Sequence, residues 1–131
     1  MTTNDIYQAH ILDHAQHPRN KGALVNPDVS VKGRNPACGD TLVLELTFRD
    51  GAIAEVAFDG IGCAISQAAA SILSERIRGI SKGEAMALTP ERMYELLGIP
   101  ITTSREKCAL LALHTLHDAL GIDSEQRENR S

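Results

Sequence analysis

Residues 41–58 read Thr-Leu-Val-Leu-Glu-Leu-Thr-Phe-Arg-Asp-Gly-Ala-Ile-Ala-Glu-Val-Ala-Phe, and this stretch decides the fold. Leu42, Leu44, Leu46 and Phe48 alternate with polar or smaller residues, the period of a strand with one buried face. Asp50-Gly51 is a tight-turn pair, and residues 53–58 make the return strand of a hairpin. Upstream, residues 4–17 carry Ile6, Ala9 and Leu12 on one stripe and end at Pro18, which predicts a helix. Residues 18–40 are rich in Pro, Gly and Asn, and predict an irregular segment with a short strand at 28–32. Downstream, Asp59-Gly60-Ile61-Gly62 leads into an Ala-rich run, 64–78, that predicts a helix.

Ser81 with Glu84, and Thr103 with Glu106, have the spacing of capping boxes, while Thr89-Pro90 opens a helix that Gly98 closes. The last helix is expected from about 104 to 120, stopped by Gly121. A helix, then antiparallel strands, then several helices predict an α+β domain: a small antiparallel sheet, made of a hairpin plus a further strand, with helices packed on one face. Residues 1–121 are expected to form a single domain and residues 122–131 a flexible polar tail.

Composition sets the outer limits. The chain has 131 residues, 43% hydrophobic and 23% charged, which suits one globular domain and excludes a disordered or membrane protein. Aromatics are 3% with no Trp, so the core must be built from Ile, Leu, Val, Ala and Met. A net charge of −4 argues against a dedicated nucleic-acid binder. Arg19, Lys21, Lys32 and Arg34 form a local basic stretch, read as solvated loop surface before a docking patch. The first residues lack the apolar run of a signal peptide, and no segment nears the roughly 20 apolar residues that span a bilayer. A cytoplasmic location is expected, where Cys38, Cys63 and Cys108 remain thiols.

Free cysteine is often simply core. Here each one stands at a junction: Cys38 in a loop before a strand, Cys63 at the start of the Ala-rich helix, and Cys108 in the first turns of the last helix. Helix starts favour thiolates, and Arg105 and Lys107 add positive charge beside Cys108. Asp40 could add an oxygen to three sulfurs, a set able to hold Zn²⁺ or iron. An oxygen ligand binds iron less firmly than thiolate, which suits a site that releases its cargo. Other motifs weigh less. His10, His14 and His17 share one helix face, read as exposed rather than ligating, and His114 and His117 read as surface or packing residues. Gly60-Ile61-Gly62 lacks the third glycine and the βαβ context of a dinucleotide site. A Cys-His-Asp protease lacks any nucleophile-elbow segment.

Taken together, Tyr7, Leu12-Asp13-His14, Pro18-Arg19-Asn20-Lys21-Gly22, Asn35-Pro36-Ala37-Cys38-Gly39-Asp40, Gly62-Cys63-Ala64-Ile65-Ser66 and Lys107-Cys108-Ala109 resemble the U-type iron–sulfur cluster scaffold family: IscU, SufU and the N-terminal domain of NifU. The resemblance runs to about Gly121 and implies a SufE/NifU-like fold. It implies Cys38, Asp40, Cys63 and Cys108 as ligands of Zn²⁺ or Fe²⁺ and of a transient [2Fe–2S] cluster. Cys108 would accept persulfide sulfur from a cysteine desulfurase, and the cluster would pass to apo iron–sulfur acceptor proteins, with an iron donor as a further partner. On this reading Asp40 is the labile fourth ligand, Lys107 balances negative charge on the loaded site, and the chain is a scaffold rather than an enzyme. The alternative is a zinc-dependent sulfur-transfer partner of the desulfurase. Lys107 replaces the His of IscU members, as in SufU members, yet the gap between Cys63 and Cys108 is too short for the usual SufU insertion. Residues 101–105, Ile-Thr-Thr-Ser-Arg, replace the Leu-Pro-Pro-Val-Lys segment of IscU members, so docking of an Hsp70-type chaperone is not implied.

Overall fold

The structure, a computed structural model, describes the backbone of residues 3–36 and 39–129 and the side chains of residues 8–36 and 39–123. Its elements are α1 (Thr3–Gln16), β1 (Val29–Asn35), β2 (Asp40–Arg49), β3 (Ala52–Ile61), α2 (Ala64–Ile77), α3 (Lys82–Met86), α4 (Pro90–Leu97), a 3-10 turn (Thr103–Arg105) and α5 (Glu106–Asn129). The three strands pair antiparallel in the order β1-β2-β3. Asp50 and Gly51, with φ of 54° and 79°, make the turn that the Asp-Gly pair predicts.

Strand alternation sets one whole face of the sheet under helices. Asp40, Leu42, Leu44 and Leu46 are buried on β2, and their partners Phe58 and Val56 are buried on β3. Helix α2 lies on β3, α5 lies on β1 and β2, and α1 packs on α2. Helices α2 and α5 also touch, and both bury alanines (Ala68 and Ala69; Ala109 and Ala119) small enough for close approach. Phe58, Leu46, Ile53, Ile77, Leu113 and Leu116 are the largest groups at the centre, together with Met93 and Leu97 of α4.

Four local expectations are corrected. Strand β1 runs on to Asn35, because pairing with β2 continues to the Asn35–Asp40 pair and overrides the Gly and Asn content of the segment. The Thr103–Glu106 capping box does not form: a 3-10 turn precedes α5, with the Arg105 N–H bonded to the Thr102 carbonyl. Gly121 does not stop the last helix, which continues to Asn129, so residues 122–129 are helical rather than a tail. The roughly 1 kcal/mol penalty of a helical glycine is outweighed by anchorage on both sides of it. Leu120 is buried, and Asp123 pairs with Lys82 at 2.9 Å, whose ammonium sits 4.1 Å above the Phe48 ring. The caps at Ser81, Thr89 and Gly98 form as expected.

The fourth correction concerns His14, which is buried (3% exposed) rather than on an open face. Its Nδ1 lies 2.7 Å from the Ser71 hydroxyl of α2 and its Nε2 3.5 Å from Glu75. Ser71 also accepts the Arg19 N–H, and the Asn20 amide donates to Ser74. The arrangement has the composition of a hydrolytic triad, but Ser71 is wholly buried and no substrate can reach it. It is instead the clamp that fixes α1 and the Arg19–Asn20 corner on α2. Burial, with the charges of Arg19 and His10, holds the His14 pKa below its ordinary 6.5, against the opposing pull of Glu75 and Asp13. The unfolded chain therefore binds this proton more readily than the folded one. Thermal stability should be level above about pH 7 and fall as the pH drops through 6.5. His14→Asn, which keeps one ring-like hydrogen bond without the titration, should flatten that fall in a pH series of melting curves.

Candidate metal centre

Three elements bring their ends together at one edge of the core. Asp40 begins β2 on its buried face and is 4% exposed. Cys63 is the N-cap of α2, in extended conformation, and is half-buried; its sulfur makes no cap bond. Cys108 lies in the first turn of α5 and is 1% exposed. One ligand atom of each lies within 4.8 Å of the others, the only such group of three or more His, Cys, Asp or Glu among the described residues. Cys38 lies outside the described residues.

Short contacts hold the cluster. The Cys63 N–H donates to Asp40 Oδ1 at 3.3 Å, and the Cys63 thiol lies 4.0 Å from Oδ2. Burial pushes the Cys63 thiol up, but donors from Ser66 (backbone and hydroxyl), Cys108 and the Ile65 N–H outweigh it, leaving the pKa below the ordinary thiol value. The thiolate that the helix start predicts is therefore favoured. Gly62 makes room for this arrangement: a Cβ there would lie 2.2 Å from Ser66 Oγ and 3.1 Å from Asp40 Oδ1. Asn35, paired across the sheet with Asp40, donates its amide to the Cys108 sulfur at 3.9 Å.

Gly62, Ser66 and Asn35 are parts of the site that residue-type reasoning passes over. Strand parity could have found Asn35, since it faces the same side as Asp40. Arg105 and Lys107 are exposed. Lys107 lines a groove of about 400 Å³ between β1 and α5, together with Arg34, Asn35, Glu106 and His114. The histidines of α1 do not join the centre; His14 is held by Ser71 and Glu75.

The donor set fits a soft or borderline metal. Zinc–sulfur bonds of about 2.3 Å place tetrahedral ligands about 3.8 Å apart, so small side-chain rotations would close the present spacing. Two thiols and a carboxylate leave one position for a fourth ligand. Among the described residues, no helix is long and apolar enough to cross a membrane.

Fold and centre together define a class: a small α+β domain that gathers two cysteines at helix starts and an aspartate at a strand start, at one end of a three-stranded sheet. The chain belongs to the NifU-like N-terminal domain family, whose model matches residues 6–129. It is 34% identical to an iron–sulfur cluster assembly scaffold protein, IscU, of Thermotoga maritima, covering 88% of this chain and 92% of that one. It is 36% identical to the zinc-dependent sulfurtransferase SufU of Bacillus subtilis, over 95% and 94% of the two chains. Among solved structures, a candidate SUF-system scaffold from Fervidobacterium islandicum superposes with a TM-score of 0.78 at 30% identity, over 91% of this chain and 99% of that one.

Proposed function

We propose that the protein is a scaffold for iron–sulfur cluster assembly, working with a cysteine desulfurase, an iron donor and apo-protein acceptors in the cytoplasm. The convergence of Asp40, Cys63 and Cys108 from three elements carries this reading, and the similarity to the Thermotoga scaffold supports it. Residues 1–121, extended by the helical turns to 129, serve as one scaffold domain.

In this role Cys108 takes the terminal sulfur of a desulfurase persulfide: its thiolate forms a new S–S bond as the desulfurase thiolate leaves. Lys107 and Arg105 attract negative charge to that end of the molecule. Cys38, Cys63 and Cys108 hold the growing cluster, whose sulfide needs two electrons per sulfur from an external reductant. Asp40 is the fourth, labile ligand, since its harder oxygen binds iron less firmly than thiolate. Asp40→Ala should therefore keep a reconstituted cluster longer during transfer to an apo-acceptor, followed by visible absorption. Faster release in the variant would refute the role.

The deciding experiment is anaerobic incubation with desulfurase, cysteine and Fe²⁺. Near-stoichiometric iron and sulfide with charge-transfer bands is the expected result. The Bacillus relative supports a second reading, zinc-dependent sulfur transfer, in which the same residues hold Zn²⁺ and one thiol is freed when the desulfurase docks. A colourless protein that keeps zinc and gains a persulfide would select it, and zinc removal would then abolish stimulation of the desulfurase.

A further inference from the structure

The two described thiols of the centre are served by donors of different origin. Cys63 receives donors from Ser66 and Ile65 of the helix it caps, and from the neighbouring Cys108 thiol. Cys108 receives one from Asn35, which reaches it from β1, across 73 positions of sequence. Asn35 and Cys108 are both buried, so this contact lies out of competition with water. Asn35 is also the cross-strand partner of Asp40, so one strand end holds the sulfur while its neighbour carries the carboxylate. An N–H donor on a metal-bound sulfur draws charge from it and fixes its direction, a lever on the metal as effective as many ligand changes.

We propose that Asn35 is a positioning residue for Cys108: its amide holds that sulfur toward Asp40 and Cys63 and withdraws charge from it in the metal-loaded protein. The inference deepens the scaffold reading and rests on it. The amide makes Cys108 a weaker electron donor than an unassisted thiolate, and it fixes which way α5 presents the sulfur.

The test is titration of the full chain with Co²⁺ alone, followed by the sulfur-to-cobalt charge-transfer absorption in the near ultraviolet. In Asn35→Ala the band should move to longer wavelength, and Co²⁺ affinity should fall by about tenfold, the lower range for loss of an outer contact. Asn35→Asp, which keeps the shape but loses the donor, should move the band the same way and covers the case in which the alanine variant fails to fold. In a Cys108→Ser background the Asn35 substitution should leave the band unmoved, because the sulfur it acts on is gone. A band indifferent to Asn35, or a shift that persists without Cys108, would overturn this inference alone. No thiolate–cobalt band in the unaltered protein would overturn the metal centre itself and the inference with it.

Discussion

Cys108→Ser should lose both proposed functions of the site at once: no persulfide after desulfurase treatment, and zinc affinity lower by about a hundredfold or more. The magnitude follows from the roughly 10–16 kcal/mol by which four ligands hold a structural zinc, about 3 kcal/mol for each. Competition with a coloured chelator would measure the affinity, and intact-mass analysis would report the added sulfur. Cys63→Ser separates the two functions. It should weaken zinc to a similar degree while Cys108 still gains sulfur, because the proposed function makes Cys63 a ligand and not the acceptor. Persulfide on Cys108→Ser would place the acceptor elsewhere, with Cys63 the first alternative.

The second large effect is structural. Gly60→Ala should destabilise the fold by about 3 kcal/mol or more, the range of severe backbone substitutions. Gly60 has a φ of 149°, which side chains rarely adopt, and a Cβ there would lie 2.1 Å from the Thr41 carbonyl oxygen. The obstacle is backbone, so no rotamer change relieves it. Because Thr41 follows Asp40 and Gly60 lies three residues before Cys63, the disturbance reaches two of the proposed ligands. Urea unfolding should show the loss, and excess zinc should restore only part of it. Stability equal to the unaltered protein would mean that β2 and β3 can part at this end without cost.

Most of the fold was legible because its signals are local. The alternation from Leu42 to Phe48, the Asp50-Gly51 turn and the caps at Ser81, Thr89 and Gly98 each depend on a few neighbouring residues. The misread positions depend on distant partners. The end of β1 is set by Asp40 across the sheet, the helical turns after Gly121 by Lys82 and Phe48, and the burial of His14 by Ser71. The centre divides the same way. Cysteine and aspartate identify themselves by chemistry and by their places at element ends, so Asp40, Cys63 and Cys108 could be named in advance. Asn35, Ser66 and Gly62 carry no such mark, and their contribution exists only once three separate segments meet.

The pairing of Asp123 with Lys82 over Phe48 has a mechanical consequence for the other end of α5. From Asp123 back to Cys108 is about 22 Å of helix at 1.5 Å per residue. Pinned at Asp123 and buried along Ala109, Leu113 and Leu116, the helix is a rod that fixes the Cys108 sulfur, and a tilt of roughly 10° would displace that sulfur by about 4 Å. That travel is comparable to the spacing between neighbouring ligand atoms. A salt bridge at one end of the helix thus helps to set the spacing of candidate ligands at the other, fifteen residues away.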